Sequence, residues 1–429
     1  MNSERQPAYL NLINQLLTCP TGEEAEILKS HPDLLDDGLV AAMLEEADNL
    51  REKGEVNNAN WLKDFAGLLG KVDGDLLAGI ALKAEAYRLL EQGIQQCSIS
   101  LFREALQSWE QALTIYREIG YRQGEAASLS SLGNAYNSIG QYHRAIEFHE
   151  QSLVISREIG NRGAEAASLG SLGNAYQSLG QYNRAIDFYE QQLVIVRDIG
   201  YRQGEANSLC GLGNACHSLG EHKLGIKFYK KALVINLEIG NRRGEANSLC
   251  GLGNAYQSLG YYKRAIASHE LSLKIEREIG NRQGEANSLG NLGTAYDSLG
   301  EYNRAIDFHQ QSFAIQREIG DPRRGEAVSL AILGAAYYSL GDFQGAIDFY
   351  EQSRVISREI GYRKGEANSL GGLGNAYQSL GDFKQAIDFL QQSLVISRKI
   401  GYREGEANSL GGLGNAYQSL GDFKQAIDF

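Results

Sequence analysis

The side chains best suited to chemistry in this chain are carboxamides that recur at a fixed spacing. Asn207 and Asn214 lie seven residues apart, which places them on one face of a helix, about 10 Å apart along its axis. Because an amide both donates and accepts hydrogen bonds, a row of amides can satisfy the backbone of an extended peptide without reading its sequence. The alternative is that these side chains hold neighbouring helices in register or are simply solvated. The candidates are Asn134, Asn174, Asn207, Asn214, Asn247, Asn254, Asn287, Asn368, Asn375, Asn408 and Asn415, followed one turn later by Gln177, Gln257, Gln378 and Gln418.

Potential metal ligands cluster once, but their spacing argues against a site. Cys210, Cys216, His217 and His222 lie close together in the sequence. Helical periodicity puts Cys216 on the core side of its helix, whereas Cys210 and His217 point the other way, so the four side chains do not converge. We therefore predict no metal and no cofactor.

Catalytic signatures are equally weak. His149, His269 and His309 share a repeat position with Tyr189, which indicates packing instead of ligation. No Walker A sequence occurs, and the Gly372-Leu373-Gly374 segment lies inside a predicted helix and not after a strand. Because no nucleophile is paired with a base at a specific spacing, we predict no catalytic residue and expect the chain not to be an enzyme.

These side chains recur because most of the chain repeats. The string LGNAY or a close variant begins eight times, and six of the seven intervals are 40 residues while one is 41. A fixed period of this length indicates a stacked array of supersecondary units and not one globular core. The strings start at Leu132, Leu172, Leu212, Leu252, Leu292, Leu333, Leu373 and Leu413.

Each repeat is predicted to form two antiparallel helices. In the unit 161–200, Asn161 is a suitable N-cap and Gly180 a suitable C-cap between the two helices. A mid-helix glycine such as Gly173 costs about 1 kcal/mol relative to alanine, so we expect it to admit a closely packed second helix. We expect Arg157-Glu158 and the equivalent pairs to form a solvated face.

The pattern resembles the tetratricopeptide repeat, on the spacing of Leu129, Leu132, Gly133, Tyr136, Gly140 and Ala145. The 40-residue form, with LGNAY and a GxRxGEA linker, is similar to the repeats of LGN/Pins adaptors, kinesin light chains and large bacterial signalling proteins. The resemblance implies an all-α fold, an α-solenoid in which helix pairs form a right-handed superhelix and the first helices line a groove. Related repeats contact peptide through the LGNAY asparagine, which implies that role for Asn134, Asn174, Asn214, Asn254, Asn375 and Asn415.

The N-terminal segment does not follow the repeat pattern. We predict a small N-terminal helical capping domain over 1–76, a degenerate first repeat over 77–120, seven repeats over 121–401 and an incomplete repeat over 402–429. Residues 405–429 reproduce 365–389 without a difference, and the end in mid-helix at Phe429 predicts a truncated chain. An uncapped final repeat would offer an apolar face for self-association.

One repeat departs from the rest. Its extra residue lies in the Asp321-Pro322-Arg323-Arg324 segment, where aspartate and proline suit a helix start. The helix that follows replaces the amides by Val328, Ala331, Ala335 and Tyr338, which predicts an apolar patch in the groove that could receive an anchor residue of a ligand. Mutational drift is the alternative.

Charge and composition narrow the classes of partner. The net charge is −12, and residues 1–76 contribute 15 acidic and 6 basic side chains. Nucleic acid binding needs a basic stripe, which the array lacks. No run approaches 18 apolar residues, so we expect no membrane span. Five cysteines without a CxxC pair and the lack of a signal peptide favour the cytoplasm.

The groove also differs from that of its relatives. LGN-like repeats often read GEARA, with an arginine that grips acidic ligands, whereas this chain has Asn207 or Ala127 and their equivalents there. We therefore expect a protein or peptide partner that is not strongly acidic. The predicted function is a protein–protein interaction scaffold or adaptor that binds a partner peptide or helix in its groove. The alternative is the sensor or regulatory part of a larger signalling enzyme, with a caspase-like protease, kinase or ATPase domain beyond Phe429.

Overall fold

The computed structural model describes residues 5–19, 24–53, 55–69, 76–99, 101–320 and 323–427. These residues fold into α-helices, turns and one short 3-10 helix at Pro32–Leu34, and they form two compact units, residues 1–200 and 201–429. The predicted all-α solenoid of helix pairs is confirmed, because within each unit the helices of the array pack against their neighbours in sequence. The helix start predicted at Asp321-Pro322 and the chain end at Phe429 lie outside the described residues.

The first unit begins with helices that do not repeat. Leu12, Ile13, Leu39, Met43 and Leu62 form the centre of their shared core. Helix α5 packs against α2 and α4, so the core of this segment adjoins the start of the array. The helices of the unit are α1 (Gln6–Thr18), α2 (Glu24–Lys29), α3 (Asp37–Glu52), α4 (Val56–Leu69), α5 (Leu76–Ser98), α6 (Phe102–Glu118), α7 (Arg122–Ser138), α8 (Tyr142–Glu158), α9 (Arg162–Ser178) and α10 (Tyr182–Asp198).

The second unit consists of repeats alone. Odd-numbered helices carry the LGNAY strings and even-numbered helices pack between them. The helices are α11 (Arg202–Ser218), α12 (His222–Glu238), α13 (Arg242–Ser258), α14 (Tyr262–Glu278), α15 (Arg282–Leu299), α16 (Tyr302–Glu318), α17 (Arg323–Leu340), α18 (Phe343–Glu359), α19 (Arg363–Ser379), α20 (Phe383–Ile400), α21 (Arg403–Leu420) and α22 (Phe423–Ile427).

The helix ends and the close helix packing follow the predicted residues. The Asn161 side chain accepts a hydrogen bond of 3.0 Å from the backbone of Ala164, and Gly180 has a φ of 73°, which suits glycine. A Cβ built on Gly173 would lie 2.6 Å from the ring of Tyr189. The mid-helix glycine therefore leaves the space that the Tyr189 ring of the second helix occupies.

A buried glutamate near the start of most first helices pairs with arginines of the GxRxGEA linker and of the preceding helix. Glu165 is 6% exposed and accepts hydrogen bonds from Arg157 Nε at 2.9 Å and Arg162 Nη1 at 2.6 Å. Glu158 in turn pairs with Arg122 at the start of α7. Arg157 and Glu158 are both exposed, as expected of a solvated face. They also form charge-assisted hydrogen bonds, Arg157 with Glu165 of the next repeat and Glu158 with Arg122 of its own repeat.

The equivalent carboxylate, that of Glu285, shows how arginine contacts offset the cost of burying a charge. Burial alone would raise the pKa of Glu285, but hydrogen bonds from Arg277 and Arg282 outweigh it and hold that pKa below its usual value. The carboxylate therefore stays ionised at neutral pH, although its surroundings exclude most water.

Buried serines form a second polar connection that the sequence did not suggest. The Ser393 hydroxyl donates to the carbonyl oxygen of Ala367 at 2.8 Å and accepts from Ser409 at 2.9 Å. One side chain of α20 thereby bridges α19 and α21. The same two contacts recur at Ser353, with Ala327 and Ser369 as its partners.

Three buried histidines occupy the ring position that Tyr189 fills in its own repeat, as predicted. His149, His269 and His309 are at most 6% exposed, and burial lowers the pKa of each to about 4. Within the described part of the chain, neither ring nitrogen of His269 has a hydrogen-bond partner. Protonation must therefore charge an imidazole that has no compensating contact.

We expect His269→Tyr to make the protein more resistant to acid. Because the folded-state pKa of about 4 lies below the unfolded value of 6.5, the neutral ring stabilises the fold above pH 6.5, and this stability is lost as the pH falls through 4. The loss is roughly 3 kcal/mol for a fully depressed histidine. The measurement is thermal unfolding at pH 7.5 and pH 5, with His143→Asn, an exposed site, as the control. An equal acid loss in the wild type and His269→Tyr would contradict this account.

Candidate functional site

The predicted amides lie on an exposed stripe of the first helix of each repeat. Asn207 and Asn214 of α11 are exposed, whereas Leu209, Leu212 and Cys216 on the other side are buried. We call the exposed stripe of each such helix its amide face. Its exposed residues are Asn134, Asn174, Asn207, Asn214, Asn247, Asn287, Asn368, Asn375, Asn408, Asn415 and Gln418, and its half-buried residues are Asn254, Gln177, Gln257 and Gln378.

Four of these amides meet in a cavity of about 730 Å³ between α19, α20 and α21. Asn368 and Asn375 line it from one repeat, and Asn408 and Asn415 line it from the next. Glu404 is the only charged side chain among its lining residues. The cavity therefore offers several neutral donors and acceptors beside one negative charge.

Glycines also line this cavity and keep it open. A Cβ on Gly372 would lie 2.5 Å from the Tyr350 ring, so that position must be glycine for the helices to pack as they do. A Cβ on Gly411 would meet nothing within 4 Å, because this glycine faces open space. The backbone is thus accessible between the amides, and a ligand chain can approach it closely.

A tyrosine of the second helix orients the LGNAY asparagine in two repeats. The Tyr189 hydroxyl donates to Asn174 Oδ1 at 2.7 Å, and that of Tyr229 donates to Asn214 Oδ1 at 2.6 Å. With the amide oxygen engaged, the Nδ2 group keeps its two donors for another acceptor. In these two repeats the asparagine therefore helps to connect the two helices, which is one of the roles that the sequence left open. Its Nδ2 group can still donate hydrogen bonds to a ligand.

The tyrosine is replaced in other repeats, so the amides are not equivalent. Leu390 occupies the ring position behind Asn375 and has no hydroxyl to donate. Among the glutamines, Gln177 accepts a longer bond of 3.3 Å from Tyr189, and Gln257 donates to Ser298 at 3.4 Å. The amide faces thus range from oriented side chains to side chains that are free to rotate.

One residue of the predicted apolar patch lines a cavity. Val328 lines a second cavity, of about 620 Å³, together with Asn287 and Arg324, but Ala331, Ala335 and Tyr338 are not among its lining residues. The Tyr338 hydroxyl lies 3.1 Å from Ser379 Oγ instead. The apolar neighbour of Val328 in this cavity is Ile332, which sequence analysis missed. Ile332 could have been found by comparing repeats, because the equivalent position is serine, glycine or asparagine elsewhere.

The cysteines and histidines of α11 and the start of α12 do not form one group. Cys216 is buried in the core, and Cys210 Sγ lies 3.5 Å from Ser248 Oγ. Burial raises the pKa of the Cys210 thiol, and the contact with Ser248 opposes this rise only in part. His217 and His222 do meet, however, with 3.0 Å between their Nδ1 atoms. The four side chains therefore do not converge as a set, but the contact between these two histidines was not predicted.

The described residues contain no group of three or more histidine, cysteine, aspartate or glutamate side chains that could hold a metal ion. No described helix is both long enough and apolar enough to cross a membrane.

Comparison with known proteins identifies the repeat. A sequence profile described as tetratricopeptide repeat matches eight overlapping segments, which are 85–158, 126–198, 164–238, 204–278, 244–318, 285–359, 325–399 and 365–429. A search of curated proteins returned no significant match.

Solved structures share the architecture at low sequence identity. The apo form of the quorum sensor NprR from B. thuringiensis has a TM-score of 0.55 at 16% identity, covering 78% of this chain and 97% of that one. A Rap protein complexed with competence and sporulation factor has 0.53 at 15%, covering 90% and 100%. A STAND protein with a tetratricopeptide repeat sensor from Pyrococcus horikoshii has 0.56 at 14%, covering 81% and 54%. At these identities the likeness concerns the fold alone.

We expect the asparagines to differ in what they contribute to stability. Asn174→Ala should cost about 1 kcal/mol, because it removes the acceptor of the Tyr189 hydroxyl. Asn375→Ala should change the free energy of unfolding by less than about 0.5 kcal/mol, because that side chain is exposed and faces Leu390. Chemical denaturation of both variants measures the difference. Equal losses would mean that the amide holds helices in register whichever residue lies behind it.

Proposed function

The chain belongs to the tetratricopeptide repeat family, and on that premise we propose that it is a protein-interaction module and not an enzyme. In this proposal the amide faces of the second unit bind an extended segment of a partner protein. The observation that carries the proposal is the cavity in which Asn368, Asn375, Asn408 and Asn415 converge.

The geometry of that cavity suits a peptide backbone. Asn368 and Asn375, like Asn408 and Asn415, lie seven residues apart and therefore about 10 Å apart along their helices. Peptide groups alternate donors and acceptors along an extended chain, and each asparagine supplies both. Gly371 and Gly411 leave room beside the amides for the backbone of the ligand.

The charge of the lining supports a ligand that is not strongly acidic. Glu404 disfavours a carboxylate in the cavity around Asn375, and no cationic side chain lines that cavity to compensate. The cavity around Val328 is different, because Arg324 lines it and the apolar pair Val328 and Ile332 stands beside that charge. In our proposal the first cavity binds neutral or mildly basic backbone, and the second receives one apolar side chain.

The fold neighbours are compatible with ligand binding. The Rap protein was solved in complex with competence and sporulation factor, so an array of this general fold can hold a ligand. For this chain the nature of the ligand rests on its own amides and not on that likeness. We place the protein in the cytoplasm, on its few cysteines.

A second candidate function is a sensor within a larger signalling enzyme. The Pyrococcus horikoshii neighbour combines a tetratricopeptide repeat sensor with other domains, and the present chain covers 54% of it. The gene sequence that follows the codon for Phe429 tests this candidate, since a protease, kinase or ATPase domain there would make the array a regulatory part. Self-association of the array remains a prediction, which sedimentation at two protein concentrations checks.

The binding proposal is tested with a displayed library of random peptides selected on the protein. A variant with alanine at Asn368, Asn375, Asn408 and Asn415 should lose at least about 30-fold in affinity for the selected peptides, because each net hydrogen bond contributes about 0.5–1.5 kcal/mol. The exposed amides Gln352 and Gln392 lie on second helices, so Gln352→Ala with Gln392→Ala is the matched control.

Two results would contradict the proposal. Unchanged affinity in the four-asparagine variant would show that the amide faces do not contact the ligand. Selection of strongly acidic peptides would show that the inferred polarity of the cavity is wrong. Circular dichroism of each variant confirms that the helices are retained.

A further inference from the structure

The repeat 201–240 differs from the others at the corner where α11 meets α12. His217 stands where other repeats have an amide, an aspartate or a tyrosine, and His222 stands where they have tyrosine or phenylalanine. Gly225 replaces the alanine found at the same place in every other complete repeat. A Cβ on Gly225 would lie 3.0 Å from the carbonyl oxygen of Gly213 and 3.7 Å from His217 Cβ. The glycine therefore lets α12 approach the helix that carries His217.

The two imidazole rings face each other through their Nδ1 atoms. His217 lies in the last turn of α11 and His222 is the first residue of α12, so the turn between the helices brings them together. Their Nδ1 atoms are 3.0 Å apart and their ring centroids 4.8 Å apart. For a metal ion 2.0–2.1 Å from both Nδ1 atoms, the Nδ1–metal–Nδ1 angle would be about 95°, which is a cis arrangement of two ligands.

The surroundings also suit a cation. The C-terminal end of α11 carries partial negative charge, which favours a positive ion beside its last turn. Glu221 lies in the same turn, is exposed and makes no capping bond with its side chain. Both histidines are half-buried, so water can reach the pair and complete a coordination sphere.

We propose that His217 and His222 chelate one divalent transition-metal ion of the class that prefers nitrogen ligands, such as Cu²⁺, Ni²⁺ or Zn²⁺, through their Nδ1 atoms. Without metal, one ring donates its Nδ1–H to the other. On binding, that proton leaves Nδ1 and the ring takes up a proton at Nε2 from water, so each neutral imidazole has a lone pair for the ion. The bound ion would join the end of α11 to the start of α12. His217 takes the position that Gln177 and Gln257 hold on their amide faces, so the site lies at the end of the amide face of α11.

The test is a titration of the full chain with Cu²⁺ at pH 7.5 in a weakly coordinating buffer, followed by calorimetry and electron paramagnetic resonance. We expect one ion per chain, with nitrogen hyperfine coupling from two imidazoles. His217→Gln and His222→Tyr restore residues that other repeats carry, so both variants should fold, and each should raise the Kd at least ten-fold. His143→Asn is the matched control and should leave binding unchanged.

Other results overturn the proposal. The absence of stoichiometric binding would mean that the contact between the rings is a hydrogen bond only. Binding that survives in both histidine variants but is lost in Cys210→Gly would assign the ion to a thiol. Spectra with one nitrogen ligand would show that the two rings do not act together.

Discussion

A buried glutamate held by one or two arginines is the interaction on which the array depends. Glu165 lies between Arg157 of the preceding helix and Arg162 of its own helix, so a single carboxylate joins two repeats. An ionised carboxylate with little exposure is tolerated only when such partners are in place. The repeat with an extra residue shows the constraint, because Glu326 is only half-buried there and has no arginine partner among the described residues. The 40-residue period is therefore maintained by charge as well as by packing.

Much of the fold follows from the sequence because its signals are local. The 3.6-residue period, the N-cap at Asn161 and the turn at Gly180 act within a few residues, and they suffice to place the helices and their buried sides. The contacts that were missed join residues far apart in sequence. Ser393 reaches Ala367, 26 residues away, and a serine or arginine in a helix is indistinguishable from a solvated residue until the partner helix is placed.

The candidate site was predicted less completely, for a related reason. The exposure of Asn207 and Asn214 follows from helical periodicity alone. Whether an asparagine is oriented depends on the residue 15 positions later, which is Tyr189 for Asn174 and Leu390 for Asn375. The histidine pair was not predicted because helical periodicity does not extend through a turn, and His222 belongs to the next helix. Comparing equivalent positions across repeats detects these differences better than reading one repeat alone.

The contacts of the buried serines and glutamates also affect how the repeats align with one another during folding. Residues 405–429 repeat 365–389 without a difference, so α21 carries the same side chains as α19 over the shared stretch. A slip of one whole repeat during folding would recreate most contacts and leave 40 residues as a loop, at a cost that grows only slowly with loop length. Positions at which neighbouring repeats disagree, such as Leu390 against Tyr350, then distinguish the correct alignment from the shifted one. The differences between repeats thus favour the pairing of each helix with its correct neighbour over pairing with an equivalent helix.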